Sequence, residues 1–493
     1  MRLRAVLRDV PVRNGDGDAE ITSVTADSRL VVPGALFVAV PGFKTDGAKF
    51  IDSAVSRGAA AVVSESSVAT APVSVQVDDA RAALALIAAN FYNRPANKLS
   101  IIGVTGTSGK TTTTKMIESI LDASGQPVGL IGTIEYRAGE ERMTADRTTP
   151  DAAVLQQWFA KMVDAGVRNA VMEVSSHALA LKRTHGIRFA AAVFTNLSQD
   201  HLDFHKDFED YFAAKRILFD QIDCSRKTAI VNVDDEYGRR LATELDGCAV
   251  TFGRQSNADI HPFAGFEISV RGLHGRIATP AGDVRLESQL LGAPNLYNWL
   301  GAIGAALSVG IGTATIEAGI RNLAAVRGRF EYVASDDGPT VIVDYAHKPD
   351  ALEKLLLAVH DLAPGRRVLV LFGCGGDRDR EKRPMMGAIA ARLADQTILT
   401  SDNPRGERPE AILDDIERGM AGAANYARIT DRRQAIARTI AEALDDDVIV
   451  IAGKGHESYQ VVGDQVIHFD DREEAERALR TRHENRTSKS VSN

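Results

Sequence analysis

Cysteine is scarce. Cys224, Cys248 and Cys374 are the only three among 493 residues, far apart and without the spacing of a metal site. That pattern predicts reduced thiols, as in a cytosolic protein. Long apolar runs are missing too: no stretch of about 18 apolar residues occurs, so no membrane insertion is expected. Charged residues interrupt every window from Met1 to Asp18, which leaves no secretory signal core. Nor is there a basic excess, since 58 Lys and Arg stand against 66 Asp and Glu, for a net charge of −8. With the cations scattered, no nucleic-acid partner held by phosphate neutralisation is expected. Substrates are expected from the cytoplasm.

What is present is ordinary globular composition, 44% hydrophobic and 25% charged, at a length that predicts about three domains. One stretch organises the rest. Residues 101–105 form an apolar β-branched run, followed by Gly106-Thr107-Ser108-Gly109-Lys110-Thr111-Thr112 and a helix-forming segment over 115–121. The two glycines let backbone N–H groups approach a polyphosphate, and the following helix points its positive end at the anion. Lys110 can reach the outer phosphates, and the Thr111 hydroxyl suits Mg²⁺. Val104 stands where the strict Walker pattern has glycine, so this is a shortened variant. The stretch predicts a nucleoside triphosphate site.

Residues 1–97 read as a small α/β unit, with strands near 35–40 and 60–64, a helix over 80–92 and a linker at Asn93-Arg94-Pro95. The polar loops 26–29 and 42–47 read as solvated turns. Over 98–328, strand runs at 170–174, 191–195 and 228–231 alternate with amphipathic helices at 153–165 and 208–219. Such alternation predicts a mostly parallel sheet covered on both faces. A hairpin excursion is expected over 266–289, and a helix over 295–309. Over 329–482 the alternation restarts, with strands at 340–344, 368–372, 397–400 and 448–452, as in a second doubly wound domain. Ligands bind at the carboxyl edge of such sheets. Residues 483–493 are polar and predict a flexible tail.

Three groups of residues sit at predicted strand ends. Glu173 ends one strand, where a buried charge is costly unless paired or metal-bound, making it a Mg²⁺ ligand candidate. A glutamate simply reaching solvent is the other reading. The loop 196–205 holds His201, His205, Asp200 and Asp203, and a hard cation suits such an oxygen-rich set better than zinc does. Lys215, on the next helix, is by composition an ordinary helix lysine. In the last third, the loops 373–383, 401–405 and 453–457 present both cations and anions. Arginine forks for a carboxylate and carboxylates for an ammonium suit a zwitterionic ligand. A mutual salt-bridge network remains the alternative.

The P-loop, the Glu173-Val-Ser-Ser-His run, 195–203, Asn295-Leu-Tyr-Asn298, Asp344-Tyr-Ala-His347 and Asp402-Asn-Pro-Arg405 stand in an order that resembles the Mur ligases over nearly the whole chain. The resemblance implies an α/β protein of three domains: a UDP-binding N-terminal domain, a central P-loop ATPase-type parallel sheet and a Rossmann-like C-terminal domain. It implies an ATP-dependent ligase that joins meso-diaminopimelate to the D-glutamate of UDP-N-acetylmuramoyl-L-Ala-D-Glu through an acyl phosphate. Gly106 to Thr112, Asn295, Arg329, Asp344 and His347 are then expected at ATP. Ala26, Ser28, Phe43, Lys44, Thr45, Thr148, Thr149, Ser175 and Arg183 are expected at the UDP-linked dipeptide. Arg378, Asp402, Asn403, Pro404, Arg405, Gly453 and Glu457 are expected at diaminopimelate. Lys110, Glu173, His201 and Lys215 form the implied catalytic set, with Lys215 carbamylated to N6-carboxylysine and binding Mg²⁺ together with Thr111, Glu173 and His201. A monomer is expected. Ser108, Leu181 and Lys348 depart from common family residues. The alternatives are the same ligase using L-lysine, a folylpolyglutamate synthetase-like ligase, or a non-enzymatic nucleotide-sensing scaffold.

Overall fold

The computed structural model describes residues 1–15, 17–42, 45–333 and 338–491, with side chains through 487. Phe43 and Lys44 lie outside the described residues. The chain divides into two compact units, Met1–Pro262 with Ile277–Val284 and Tyr297–Gly319, and Phe263–Arg276 with Arg285–Leu296 and Ile320–Asn493. Among the described residues no helix is long and apolar enough to cross a membrane.

The first unit carries two modules, each with its own sheet. The N-terminal sheet contains β1 (Val12–Asn14), β2 (Ser23–Thr25), β3 (Ala35–Val38), β4 (Ala61–Ser64) and β5 (Ser74–Val77) in the order β1-β5-β4-β3-β2. Its strands are parallel except β1. The helix Ala80–Phe91 covers it, and Ala152 and Ala153 of the next module join its apolar core.

The central sheet contains β6 (Ser100–Thr105), β7 (Val128–Ile131), β8 (Glu135–Ala138), β9 (Glu141–Thr144), β10 (Asn169–Glu173), β11 (Ala191–Phe194), β12 (Ala229–Asn232) and β13 (Ala249–Phe252). Their order is β13-β12-β11-β6-β10-β7-β8-β9, parallel up to β7 and antiparallel beyond. The uninterrupted apolar runs of β6, β10 and β11 follow from burial on both faces. β6 lies between β10 and β11, with Glu173 opposite Val104 and Phe194 opposite Thr105. Parallel strands in this register end together, so three candidate loops leave the sheet at one edge.

The sequence expects free thiols, but Cys224 and Cys248 form a disulfide, with Cα atoms 4.9 Å apart. Each cysteine lies shortly before one of two neighbouring parallel strands, β12 and β13, so the sheet brings them to the same end. Spacing along the chain does not reveal this. Cys374 is free and buried, and burial pushes its thiol up to about 12.

The expected excursion is present: β14 (His261–Pro262), β15 (Glu267–Ser269), β16 (Gly272–Ala278) and β17 (Val284–Ser288), with Glu267 opposite His274 in an antiparallel pair. In the second unit, β18 (Glu331–Val333), β19 (Thr340–Asp344), β20 (Val368–Phe372), β21 (Gln396–Leu399), β22 (Tyr426–Arg428) and β23 (Val448–Ala452) form a sheet in the order β18-β19-β23-β20-β21-β22. All pairs but β18–β19 are parallel, with apolar clusters around Val370 and Ile449 covering the faces. A separate hairpin of β24 (Tyr459–Val462) and β25 (Gln465–His468) follows. The final helix runs Asp471–Val491, past the point where the sequence suggests a tail, with Arg482 buried against the carbonyl of Ile440.

Candidate functional site

The turn after β6 needs glycine twice. Gly106 has φ +150°, and a Cβ there would meet Thr195 Oγ1 at 1.9 Å. Gly109, at φ +84°, is the N-cap of the helix Lys110–Asp122. The neighbouring strand end holds the loop: Thr195 Oγ1 donates to the Ser108 carbonyl at 2.6 Å, and Ser108 N–H donates to Asn196 Oδ1 at 3.0 Å. Thr107 Oγ1 lies 3.2 Å from Tyr211 Oη. Lys110 Nζ donates to the carbonyls of Gly106 and Thr107 at 2.9 and 2.8 Å. Thr111 and Thr112 are buried in the first helical turn.

Glu173, at the end of β10, is only 1% exposed. Its Oε2 accepts from Thr111 Oγ1 at 3.0 Å and Thr133 Oγ1 at 3.0 Å, and its Oε1 accepts from Thr133 N–H at 2.7 Å. All three donors are neutral. The reading of Glu173 as a solvent-reaching glutamate therefore fails. A buried carboxylate beside a threonine hydroxyl and a phosphate-binding loop is a donor set suited to a hard divalent cation.

Lys215 is 1% exposed on the helix Phe208–Arg216. Its Nζ donates to the Gly106 carbonyl at 2.8 Å and lies 4.3 Å from the Tyr211 ring centre. Burial, reinforced by Lys110, holds its amine well below the usual lysine range. It is not an ordinary surface lysine. His201, at φ +55°, has Nε2 3.4 Å from Asp200 Oδ2 and packs edge-on to His177. Among the described residues no three His, Cys, Asp or Glu side chains gather as a ready metal cage. His205 is buried, with Nε2 2.9 Å from Ser176 Oγ and Nδ1 3.1 Å from Asp210 Oδ2.

Four of the residues expected at the dipeptide meet beside Glu173. Thr148 Oγ1 lies 3.1 Å from Thr133 Oγ1. The Thr149 hydroxyl is engaged within the protein, donating to the Glu173 carbonyl at 2.8 Å and accepting from Ser175 N–H at 3.1 Å. Arg183 Nη1 donates to the Thr149 carbonyl at 2.7 Å, and Ser175 caps the helix Ser176–Ala180. Thr149 therefore serves to place Ser175 and Arg183. In the N-terminal module, Ser28 opens a single helical turn capped by Asp27. A cleft of about 320 Å³ opens elsewhere on this module, lined by Pro41, Asp46, Ser64 and Glu65 among others, and Ala26, Ser28 and Thr45 are not part of its wall.

In the second unit, Asp344 accepts from Phe330 N–H at 2.7 Å and Ala346 N–H at 2.8 Å, and burial raises its carboxyl. Arg329 stacks on Tyr345, and Tyr345 lies against His347 and His456. Burial lowers both imidazoles to about 4. Asn295 Nδ2 donates to the Leu291 carbonyl.

The loops after β20, β21 and β23 adjoin because those strands are parallel neighbours. Arg405, at φ +51°, is fastened to the β24–β25 hairpin by its N–H to Val461 O at 3.0 Å and by its carbonyl accepting from Gly463 at 2.8 Å. Its Nη1 donates to the Gly376 carbonyl at 2.9 Å. Asn403 Nδ2 donates to Glu457 Oε2 at 2.9 Å, while its Oδ1 accepts from Val461 N–H and from the buried Lys454. Asn403 thus aims Glu457. Gly453 approaches Asp402 so closely that a Cβ would meet its Oδ2 at 2.9 Å. Arg378 is exposed beside these loops, and the Pro404 carbonyl accepts from Glu407 N–H at 3.0 Å.

Sequence reasoning missed Thr133, Tyr211, Lys454 and the pair Arg383–Glu407. Arg383 is fully buried and donates to both Glu407 oxygens, and the guanidinium holds that carboxyl down to about 2. Glu407 in turn accepts from Asp377 N–H, tying the loop after β20 to the loop after β21. Nothing in their spacing signals these roles.

Three family models match in order along the chain: "Mur ligase family, catalytic domain" over residues 20–92, "Mur ligase middle domain" over 104–306 and "Mur ligase, glutamate ligase domain" over 328–455. A relative from Gloeobacter violaceus named UDP-N-acetylmuramoyl-L-alanyl-D-glutamate–2,6-diaminopimelate ligase is 49% identical, covering 94% of this chain and 95% of its own. A Bacillus cereus protein of the same name is 46% identical, over 97% of each chain. A solved structure titled as that ligase superposes with a TM-score of 0.68 at 34% identity, covering 94% of this chain and 95% of its own. With three segment models in sequence and relatives matching nearly end to end, the chain belongs to the Mur ligase family.

Proposed function

We propose that this ligase joins meso-2,6-diaminopimelate to the D-glutamate side-chain carboxylate of UDP-N-acetylmuramoyl-L-Ala-D-Glu, at the expense of ATP, in peptidoglycan precursor synthesis. The carboxylate oxygen attacks the γ-phosphorus, giving an acyl phosphate and ADP. The diaminopimelate amine then attacks the acyl carbon, phosphate leaves, and the amine loses a proton. Two anions meet in the first step, so cationic groups carry it. Lys110 on the P-loop offsets charge on the transferring phosphoryl group. Arg183, fixed through Thr149 beside Glu173, supplies a cation for the dipeptide. Bound Mg²⁺ would screen the phosphate charge, and Thr111, Glu173, His201 and a carbamylated Lys215 are the residues to hold it.

One observation supports this reading above the others. Burial, reinforced by Lys110, lowers the pKa of the Lys215 amine, which rests on the P-loop carbonyl of Gly106. A neutral amine can take up CO₂, and the resulting N6-carboxylysine suits a metal-assisted phosphoryl transfer rather than nucleotide sensing. The amino-acid loops in the second unit support a zwitterionic nucleophile, with Arg405 and Arg378 for carboxylate and Asp402 and Glu457 for ammonium. The module bounds 1–97, 98–328 and 329–482 fit this division of labour. We place the enzyme in the cytoplasm as a monomer. Phosphate release that requires both the UDP-dipeptide and diaminopimelate tests the reading. Release with a folate in place of the dipeptide, or none with any acceptor, would refute it.

A further inference from the structure

The end of β7 approaches the metal-site carboxylate more closely than any motif suggests. Ile131 pairs with Met172, so Gly132 and Glu173 leave the sheet side by side. A Cβ on Gly132 would lie 2.8 Å from Glu173 Oε1, and the missing side chain lets the turn close on the carboxylate. Thr133 then contacts both oxygens, Oε1 through its backbone N–H at 2.7 Å and Oε2 through Oγ1 at 3.0 Å. Two bonds from one residue fix the plane of the carboxylate, where one bond would leave it free to rotate. The remaining donor is Thr111.

Proton counting gives this cluster a direction. The Thr133 hydroxyl has one proton and two neighbours, Glu173 Oε2 and Thr148 Oγ1 at 3.1 Å. That proton lies on the bond from Thr133 Oγ1 to Glu173 Oε2 at 3.0 Å. Thr133 therefore donates to Glu173, and Thr148 must donate to Thr133. The Thr148 hydroxyl is left with lone pairs alone for any ligand.

We infer that Thr133 is a positioning residue of the phosphoryl-transfer site: it clamps the Glu173 carboxylate and, through the one-way chain Thr148→Thr133→Glu173, makes Thr148 an acceptor for an N–H of the acceptor peptide. This rests on the ligase reading above. It assigns the dipeptide's amide nitrogen to Thr148 and leaves its carboxylates to Arg183. It also means that the acceptor site and the metal-site carboxylate share one residue.

The test compares Thr133→Val, which keeps the branched shape and the backbone N–H, with Thr133→Ser, which keeps the hydroxyl. Mn²⁺ binding in the presence of ADP, followed by electron paramagnetic resonance, reads the clamp without turnover. Thr133→Val should weaken Mn²⁺ binding about tenfold and lower kcat by a similar factor, at an unchanged melting temperature, while Thr133→Ser stays within about threefold of the wild type. Thr148→Val should raise KM for the UDP-dipeptide about tenfold and leave Mn²⁺ binding within twofold, because the chain runs toward Glu173. If Thr133→Val does not fold, Thr133→Ala carries the same expectation. Mn²⁺ binding and kcat within twofold of wild type in the Val or Ala variant overturn the clamp, and weakened Mn²⁺ binding in Thr148→Val overturns its direction. Failure of the ligase reading is separate, since it appears as wild-type protein that releases no phosphate with dipeptide and diaminopimelate.

Discussion

Lys215 Nζ lies 2.8 Å from the Gly106 carbonyl and 4.3 Å from the centre of the Tyr211 ring, buried beneath the phosphate-binding loop. Neither contact offsets a full positive charge, and burial with Lys110 nearby favours the neutral amine. Lys215→Ala is expected to lower turnover by roughly 10²-fold or more, the scale for losing a group that stabilises charge in phosphoryl transfer. An exposed helix lysine would instead cost within about 0.5 kcal/mol and spare activity. Turnover across a Mg²⁺ series, together with a ¹³C carbamate signal from labelled bicarbonate, checks this. Near-wild-type turnover at low Mg²⁺ ends the carbamate assignment.

Lys110 bridges the carbonyls of Gly106 and Thr107. Its charge acts on phosphate before the amine arrives, so Lys110→Ala should slow ATP use at every diaminopimelate concentration. Acyl phosphate trapped without diaminopimelate should fall by roughly 10²-fold. Normal trapping in this variant would move the ATP site elsewhere.

Arg405 is latched on both sides by its backbone to the β24–β25 hairpin, and its Nη1 donates to the Gly376 carbonyl at 2.9 Å. Lysine lacks the distal carboxylate that this fork can pair with, and charge-assisted bonds contribute roughly 1.5–3 kcal/mol each. Diaminopimelate should be preferred over lysine by about 100-fold or more in kcat/KM. Arg405→Ala should erase most of that ratio by losing diaminopimelate use, and Arg405→Lys should rescue it poorly. Wild-type values for the two amino acids within a few-fold of each other would remove the specificity.

His347 and His456 set an acid limit on the second unit. Burial lowers both to about 4 from an ordinary 6.5, so the unfolded chain binds protons that the folded chain refuses. Their contribution to stability is complete above pH 6.5 and is lost as pH falls toward 4. The shift amounts to roughly 3 kcal/mol for each imidazole at full effect. Urea unfolding of the whole chain at pH 7 and pH 5 should show the loss, and His347→Gln should remove about half of it. An equal pH dependence in wild type and variant would count against this cause.

Much of the architecture was legible before any fold was known. Continuous apolar runs at β6, β10, β11, β20 and β23 signalled strands buried on both faces, and period-two alternation marked the excursion through β15 and β16. The glycine–lysine–threonine turn was readable because phosphate chemistry constrains neighbouring residues in a single loop. By composition, Lys215 carried no signal, since its character arises from Tyr211, Gly106 and Lys110 around it.

The sequence by itself determined the alternation of elements, the P-loop and the order of the family motifs, because those depend on residues close along the chain. Tertiary structure alone decided the rest. Parallel register set Gly132 and Thr133 against Glu173, brought Cys224 to Cys248, and aligned the loops of Asp402 and Glu457 so that Asn403 and Lys454 could join them. The physical reason is that hydrogen bonds and desolvation act over a few ångströms in space. Residues 24 to 54 positions apart become neighbours only once the strands between them have paired.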